Sequence, residues 1–414
     1  MRQRMSPSAV FPLLCLVALF AAMAAQEDVP APDEGVVVEY VLVDVTAWDK
    51  RRQLVTDLAL KDFVLRENGK IVVVTSLDIL DLREEAASAS APATAVHLDA
   101  DAPRLERSQV VLALDFQFTG PADATATFSQ LEGYLDETAG HDKLGYRIYS
   151  LESGWEMEEF STDPEVVLKA LRDYHRRYDQ RHTGKNINQG MHLSGLQQGL
   201  RLCGGFSQTC ARGALDRYLA QEEARTETIM RELESLAESF PEGASLRSIL
   251  FVSPGFSLEP GRGALAMLGA DMTSPNASME SRMGLPRLHS FDDRFQEVLS
   301  VCARNKVVFH AFDVYNFGME ELYGNTAARS NPGAGNAYKV YRQELQEGMR
   351  DLARGTGGTF QTYIKEMRPL LEGNRFVYVL GYAKPDGKPG KFRKIKVKCT
   401  RKGIQLRHRT GYIG

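Results

Sequence analysis

The sequence predicts an α/β protein with a doubly wound, mostly parallel sheet, a small β-sandwich module before it and an antiparallel β extension after it. Three observations predict this fold. Short apolar runs alternate four times with helix-length segments between residues 108 and 370, which is typical of a parallel sheet covered on both faces. An Asn68-Gly69 hairpin signal separates two β-rich runs near the start. Three β-rich runs follow one another near the end, at residues 375–382, 391–400 and 404–411.

The first 25 residues have the pattern of a secretory signal peptide. Two arginines precede an apolar run over residues 10–25, which ends in small residues that include Ala22-x-Ala24. The run is short for a membrane-spanning helix, so we expect cleavage, with membrane contact only through this segment if it stays uncleaved. The mature chain is expected to be secreted or to lie in the periplasm or cell envelope. Residues 26–35 are acidic and proline-bearing, and a flexible tail is expected there.

Residues 36–82 predict the small β-sandwich module. The run 36–45 is rich in β-branched residues, and a second strand pattern over residues 70–80 follows the Asn68-Gly69 turn signal. Residues 83–107 are a composition break of alanine, serine, acidic residues and proline, which is typical of a linker. The large domain is therefore expected to begin at residue 108.

Residues 108–370 are predicted to form the α/β domain, and residues 371–414 the antiparallel extension. Buried strands are predicted at residues 110–115, 145–151, 247–253 and 306–313. Helices are predicted at residues 122–139, 162–174, 193–202, 215–239, 291–305 and 338–354. The glycine- and methionine-bearing stretch 257–288 is predicted to be a long loop, and loops of that length are mobile or functional.

Composition places few limits on function. The 414 residues are 43% hydrophobic and 25% charged, and the net charge of −4 gives no reason to expect nucleic acid as a partner. Four cysteines follow the signal segment, and export permits disulfides. Cys203 and Cys210 flank a turn-like segment that a local bridge would close, whereas Cys302 and Cys399 are expected to be buried free thiols. Without paired C-x-x-C motifs, a zinc site is not expected.

The chain is organised around Asp115, which ends the apolar run 110–114. Open α/β sheets bind ligands at the carboxyl ends of their strands, and Asp115 falls at such an end. The spacing Asp115-x-Gln117-x-Thr119 offers alternate side-chain oxygens to a hard cation. The alternative interpretation is that Asp115 orders the loop or caps the next helix, and on these residues alone we favour it.

The Asp115 segment resembles the first metal loop of a von Willebrand factor A domain, whose pattern is Asp-x-Ser-x-Ser. Further segments are similar to those of bacterial secreted proteins with a VWFA-related domain, and their order along the chain strengthens the resemblance. These segments lie at residues 55–70, 351–358, 378–382, 390–397 and 409–412. The resemblance implies a Rossmann-like A domain preceded by an Ig-like module. It also implies a style of binding, but it does not name a ligand.

The resemblance implies a metal-ion-dependent adhesion site built from three loops, and this sequence keeps it only in part. The first loop supplies Asp115, Gln117 and Thr119, and the second offers Thr183. The third loop has Pro254 where the family has an acid, so one carboxylate is lost. Fewer anionic ligands weaken cation binding. We therefore expect no tight cofactor, and at most weak Mg²⁺, or Mn²⁺ or Ca²⁺ in its place.

The predicted function is protein–protein or cell-surface adhesion by an exported binding protein that is not an enzyme. The expected partner-binding residues are Asp115, Thr119, Ser253 and Ser257, together with the 257–288 loop. One alternative is a hydrolase using Ser253 or that loop, although Ser253 lacks the Gly-x-Ser-x-Gly elbow. Another alternative is a metal-free structural component of an envelope assembly.

Residues 394–399 offer a second binding hypothesis. Lysines alternate there with apolar residues, so three lysines are expected to face outward, where an acidic partner would dock. The alternative, which we favour, is an edge strand whose lysines prevent self-pairing.

Overall fold

The computed structural model describes residues 40–81, 108–117, 119–138, 144–182, 192–203, 208–241, 246–271, 288–314, 332–362, 376–385 and 390–413. The predicted signal peptide, the tail and the linker lie outside these residues. Val41–Gly414 is one compact unit, separate from Met1–Tyr40.

The described chain alternates strands and helices through its middle and contains strands alone at its two ends. The strands are β1 (Tyr40–Trp48), β2 (Phe63–Glu67), β3 (Lys70–Val72), β4 (Ser76–Asp81), β5 (Ser108–Leu114), β6 (Gly145–Ser150), β7 (Gly154–Trp155), β8 (Leu246–Ser253), β9 (Val307–Asp313), β10 (Phe360–Gln361), β11 (Phe376–Ala383), β12 (Phe392–Cys399), β13 (Gln405–His408) and β14 (Gly411–Ile413). The helices are α1 (Pro121–Thr138), α2 (Pro164–His182), α3 (His192–Leu202), α4 (Gln208–Glu238), α5 (Arg262–Asp271), α6 (Asp292–Arg304) and α7 (Pro332–Thr356).

A six-stranded, largely parallel sheet forms the centre of the α/β part, with the strand order β10-β9-β8-β5-β6-β7. The pairs β10–β9, β9–β8, β8–β5 and β5–β6 are parallel, and only the short β7 is antiparallel to its neighbour. The predicted mixed α/β class with a mostly parallel sheet is therefore confirmed. Since β5 and β8 lie in the middle of the sheet, the residues that follow them meet at one edge.

Helices cover both faces of this sheet. Successive residues of a buried strand contact different helices, because their side chains point to opposite faces. Leu112 and Leu114 of β5 belong to a hydrophobic cluster with residues of α1 and α2, whereas Val111 and Ala113 belong to one with α4, α6 and α7. A third cluster joins α3, α4, α5 and α7. The near-continuous apolar pattern of β5 and β8 is what burial on both faces requires.

The predicted N-terminal module and the predicted C-terminal extension are joined by strand pairing. One antiparallel sheet has the order β13-β1-β11-β4, and another has the order β14-β12-β2-β3. Each contains strands from both ends of the chain. The two sheets share one hydrophobic cluster, which includes Val43, Leu65, Tyr378 and Val397. Residues 40–81 and 376–413 therefore form one β structure rather than two separate pieces.

A buried carboxylate sits inside this β structure. Glu67 is 5% exposed and accepts hydrogen bonds from Arg393 at 2.9 Å, Tyr382 at 2.7 Å and Tyr412 at 3.0 Å. Buried charges need such partners, because an unpaired carboxylate loses its hydration without compensation. The Arg393 and Tyr412 partners come from the C-terminal strands, so this contact also ties the two ends of the chain together.

The structure corrects the expected long loop. Residues 262–271 of it form helix α5, because the amides of Gly261 and Gly263 donate to the Glu344 carboxylate at 2.8 and 2.9 Å and so cap its first turn. Strand β12 pairs with β2 over residues 395–399 and with β14 only over residues 392–394, so Lys396 and Lys398 lie on the part of β12 that has a single strand partner among the described residues.

The cysteines and the described helices bear on the expected export. Cys203 and Cys210 form a disulfide with a Cα–Cα distance of 5.6 Å, whereas Cys302 and Cys399 are free. Cys302 is buried and Cys399 is half-buried, and burial raises the pKa of the Cys302 thiol. Within the part of the chain that the structure describes, no helix is both long and apolar enough to cross a membrane.

Candidate functional site

Three neighbouring strands of the parallel sheet deliver polar side chains to the same edge. Asp115 follows β5, Ser253 ends β8 and Asp313 ends β9, with Ser253 and Asp313 in register. The Asp115 amide donates to the carbonyl of Val252 at 2.8 Å, which extends the β5–β8 pairing by one step. All three side chains are at least 95% buried. We call this region the carboxyl edge.

The Asp115 carboxylate is held by Ser253. The Ser253 hydroxyl donates to Asp115 Oδ2 at 2.7 Å and accepts a hydrogen bond from the Gly255 amide at 2.9 Å. Ser253 is fully buried and Asp115 is 2% exposed. Because the hydroxyl already donates one hydrogen bond and accepts another, and has no contact with solvent, it is poorly placed to attack a substrate.

An arginine from helix α4 supplies the positive charge beside Asp115. Arg225 Nη2 lies 3.8 Å from Asp115 Oδ2 and donates to the Gly255 carbonyl at 2.7 Å. Arg225 Nη1 also lies 4.0 Å from a Glu222 carboxylate oxygen. Asp115, Glu222 and Arg225 are each at least 92% buried. The guanidinium thus compensates charge that would otherwise be costly to bury.

A second buried ion pair forms at the end of β9. Arg342 from helix α7 donates to Asp313 Oδ2, and Gln346 from the same helix donates to that oxygen at 2.7 Å. Asp313 is 5% exposed and Arg342 is 9% exposed. Two helices on the same face of the sheet therefore each direct one arginine to a strand-end aspartate.

The connection from β5 to α1 and the first turn of α1 add one buried oxygen each. Thr119 and Asp123 are 5% and 4% exposed, and neither Thr119 Oγ1 nor Asp123 Oδ1 has a hydrogen-bond partner among the described residues. Burial raises the pKa of Asp123 to about 6, against the attraction of Arg342 and with a further contribution from Asp313. Tyr178 of α2 donates to the Thr119 carbonyl at 2.8 Å, which brings the end of α2 to the carboxyl edge.

The predicted metal ligands do not form a suitable cation site in the described structure. Asp115 is paired with Ser253 and faces Arg225, Gln117 is exposed, and Thr183 lies outside the described residues. Pro254 adds no side-chain ligand. No cluster of three or more histidines, cysteines, aspartates or glutamates that would hold a metal is found in the described parts of the chain. A guanidinium 3.8 Å from the principal carboxylate repels a divalent cation, so the residues present fit Mg²⁺ poorly.

The predicted partner-binding residues are buried rather than displayed. Asp115, Thr119, Ser253 and Ser257 are all 5% exposed or less. Ser257 Oγ accepts the Glu259 amide at 3.1 Å, and the Ser257 carbonyl accepts the Thr226 hydroxyl at 3.2 Å. These residues therefore support the carboxyl edge from inside the protein. Only exposed neighbouring residues are in a position to contact a macromolecule.

Sequence reasoning missed the residues that balance the charges at this edge. Asp313 carried a usable signal, since it ends an apolar strand as Asp115 does. Arg225 and Arg342 lie within long charged helices, where nothing local distinguishes them from solvent-facing arginines. Only the packing of α4 and α7 against the sheet identifies them.

Comparisons of this chain with protein-family models, with curated proteins and with solved structures find no match. The resemblance to VWFA-related proteins therefore stays a prediction from the sequence motifs, and the geometry of the carboxyl edge has to support any functional conclusion by itself.

Proposed function

We propose that this chain is an exported, non-enzymatic protein that binds a protein partner at the carboxyl edge of its parallel sheet. We also propose that the α/β part is related to von Willebrand factor A domains and the antiparallel sheets to an Ig-like module. The class of adhesion, to another protein or to a cell surface, follows from that resemblance.

The observation that carries the proposal is the buried charge network at the carboxyl edge. Ligands of open α/β sheets bind at this edge. Here Arg225 and Arg342 neutralise Asp115 and Asp313 inside the protein, which favours a rigid platform over a reactive site. Exposed groups around the platform, such as Gln117, would make the contacts.

The same observation supports adhesion that does not depend on a metal ion. In the metal-binding relatives implied by the resemblance, a cation links the domain to a partner's carboxylate. The position of Arg225 beside Asp115 supports a version in which the guanidinium takes over the cation's charge-balancing role. The metal-free structural component remains the alternative that this geometry also favours, since it needs the same rigid edge without a separable partner.

The hydrolase alternative gains no support from the geometry of Ser253. The described hydrogen bonds of its hydroxyl go to Asp115 and Gly255, and its side chain is fully buried. A serine-reactive probe is expected to leave the folded protein unlabelled. Labelling that disappears in Ser253→Ala would revive the hydrolase.

A cell-binding assay tests the adhesion proposal. The labelled full chain is added to intact cells or envelope preparations of the source organism, with and without a chelator. We expect saturable binding that the chelator leaves unchanged and that Gln117→Arg weakens. Gln405→Arg is the matched control, because Gln405 is also exposed but lies on β13 in the antiparallel sheets.

The outcomes separate the alternatives. Equal binding by both variants would move the contact surface away from the carboxyl edge. Absence of saturable binding would favour the structural component, and loss of binding with chelator would restore the metal-dependent interpretation.

A further inference from the structure

A cavity lies at the opposite end of the parallel strands from the carboxyl edge. It is enclosed by the amino ends of β8 and β9, the last turns of α6 and α7, and strands β1, β11 and β13 of the antiparallel sheets. Its volume is about 60 Å³. At about 10–15 Å³ for each water-sized group, this holds roughly four to six such groups, which is the size of one tetrahedral oxyanion.

The lining of this cavity is strongly cationic. Arg247, Lys306, Arg407 and Arg409 line it, and Asp44 is the acidic side chain among its lining residues. The carboxyl ends of α6 and α7 also point here, and each contributes about half a negative charge. The cations still leave a net of about two positive charges.

His408 adds no charge to the lining. Its Nε2 accepts the Val397 amide at 3.0 Å, so Nδ1 carries the proton and donates to the Arg409 carbonyl at 2.7 Å. Burial lowers the pKa of His408, which also favours the neutral ring.

Two guanidinium groups of the cavity each keep an Nε–H group that can donate a further hydrogen bond. Arg247 donates through its Nη atoms to the carbonyls of Asn305 and Pro241, and Arg409 to those of Ala303 and Leu42. The Nε atoms of Arg247 and Arg409 are shielded from solvent and have no hydrogen-bond partner among the described residues. Buried donors of this kind are normally satisfied, so an acceptor bound in the cavity would complete the hydrogen bonding of these two groups.

Arg407 lies over an aromatic ring. Its guanidinium carbon lies 4.6 Å from the centroid of the Trp48 ring, and its Nε and Nη1 atoms have no contact with solvent. Burial lowers the pKa of Arg407 to about 9. An anion in the cavity would offset the hydration that this group has lost.

The glycine-rich segment after α7 belongs to this cavity. Gly355 and Gly357 line it, and Gly357 has a φ of +84° with its missing Cβ only 2.9 Å from the Arg409 amide nitrogen. Its amide donates to the Arg354 carbonyl within the helix end, so the segment is not a phosphate loop. The glycines instead let the end of the helix approach the arginine-bearing strand, and the side chains supply the charge.

From these observations we infer that the cavity binds a small oxyanion of the phosphate class through Arg247, Arg407 and Arg409, with Lys306 at its rim. Guanidinium groups match the geometry of phosphate oxygens. The positive charge of the three arginines also exceeds the partial negative charge of the two helix carboxyl ends at the cavity. The site lies at the far end of the strands from the carboxyl edge. It does not depend on the proposed adhesion function.

Inorganic phosphate is the probe that tests this inference on the full chain. We expect saturable heat in a calorimetric titration, and a rise in the thermal midpoint that chloride at equal ionic strength does not give. Arg407→Met is expected to weaken phosphate affinity about tenfold, because a hydrogen bond to a charged group contributes about that factor.

Lys306→Gly gives a test that does not depend on whether a buried substitution folds. Lys306 is exposed and has a φ of +54°, a conformation that glycine adopts without strain. The variant is expected to keep its thermal midpoint without phosphate and to lose about threefold in phosphate affinity, the effect of one rim charge. Arg52→Gly is the matched control, since Arg52 is also exposed, has a φ of +60° and lies outside the cavity lining.

The inference would be overturned by a wild-type chain that gives no more heat or stabilisation with phosphate than with chloride. It would equally be overturned if Lys306→Gly and Arg52→Gly reduced phosphate affinity to the same extent. The first result would mean that the arginines only join the antiparallel sheets to the α/β part. The second would mean that phosphate responds to net charge rather than to this cavity.

Discussion

Replacing Arg225 by methionine should destabilise the protein more than any exposed arginine substitution does. The side chain is 8% exposed and lies within 4.0 Å of two buried carboxylates, those of Asp115 and Glu222. Methionine fills a similar volume but carries no charge. Both carboxylates would then stay buried without their cation, and the hydrogen bond to the Gly255 carbonyl would be lost.

The magnitude follows from the geometry. Two unit charges 3.8 Å apart interact with about 4 kcal/mol at an effective dielectric constant of about 20. Removing one partner of a buried pair typically costs about 3–5 kcal/mol, because the remaining charge is uncompensated. Asp115→Asn in the same chain removes one of the stranded charges while keeping an acceptor for Ser253. We therefore expect the double variant to recover about 1–3 kcal/mol relative to the sum of the single variants.

Urea denaturation of the four proteins measures this coupling as a double-mutant cycle. The midpoint and slope give the free energy of unfolding, and an unchanged slope means that the same surface is exposed on unfolding. The matched control is the exposed pair of Arg401 and Asp57, whose charged atoms lie 2.9 Å apart. Although that pair is closer, solvent screens it, so Arg401→Met and Asp57→Asn should couple more weakly.

A buried pair that couples no more strongly than the exposed pair would show that Arg225 is not the counterion of Asp115 in solution. Arg225 would then not exclude a divalent cation from this position.

Three further predictions concern the same edge. The pKa of Asp123 is raised from 3.8 to about 6, so between these pH values the folded state holds a proton that the unfolded state releases. The free energy of unfolding should therefore fall as the pH rises from about 4 to about 6. Denaturation curves of Asp123→Asn, measured over the same pH range, should lack this fall. Gly255→Ala should cost about 1–3 kcal/mol of unfolding free energy, because the φ of Gly255 is +101° and a Cβ there would lie 2.6 Å from the Leu345 carbonyl oxygen. The control is Gly69→Ala, which should cost less in the same assay because Gly69, at φ +84°, has no atom within 4 Å of the added Cβ. Equal losses in the two variants would show that the contact with Leu345 is not the cause. Calorimetric titration with Mg²⁺, Mn²⁺ or Ca²⁺ should give no saturable heat, whereas binding that Asp115→Asn abolishes would show that Arg225 does not exclude a cation.

The sequence predicted the local elements well, because each depends mainly on its own periodicity. The apolar run before Asp115 became β5, and the predicted helix at 122–139 is α1, at Pro121–Thr138. Helix α2 extends beyond its predicted end to His182, with ion pairs along its charged turns such as Arg176–Asp173 at 2.9 Å. The alternation of strands and helices likewise fixed the parallel sheet and the edge at which Asp115 would lie.

The joining of the two ends of the chain could not be predicted from local patterns. The Tyr378 hydroxyl accepts the Leu58 amide at 3.0 Å across 320 positions of sequence, and Arg393 reaches Glu67 in the same way. Alternating strands at either end satisfy the same local rule whether they pair with each other or with separate partners. Strand order is decided by which faces become buried together.

By itself, the sequence determined the α/β class, the carboxyl edge and the placement of Asp115, Thr119 and Ser253 near it, because apolar periodicity and strand ends are local properties. The tertiary structure alone decided that Arg225 faces Asp115 and that four cationic side chains gather at the opposite end of the strands. An arginine in a charged helix looks the same in sequence whether it meets water or a buried carboxylate. Its role is set by the electrostatic environment that packing creates around it.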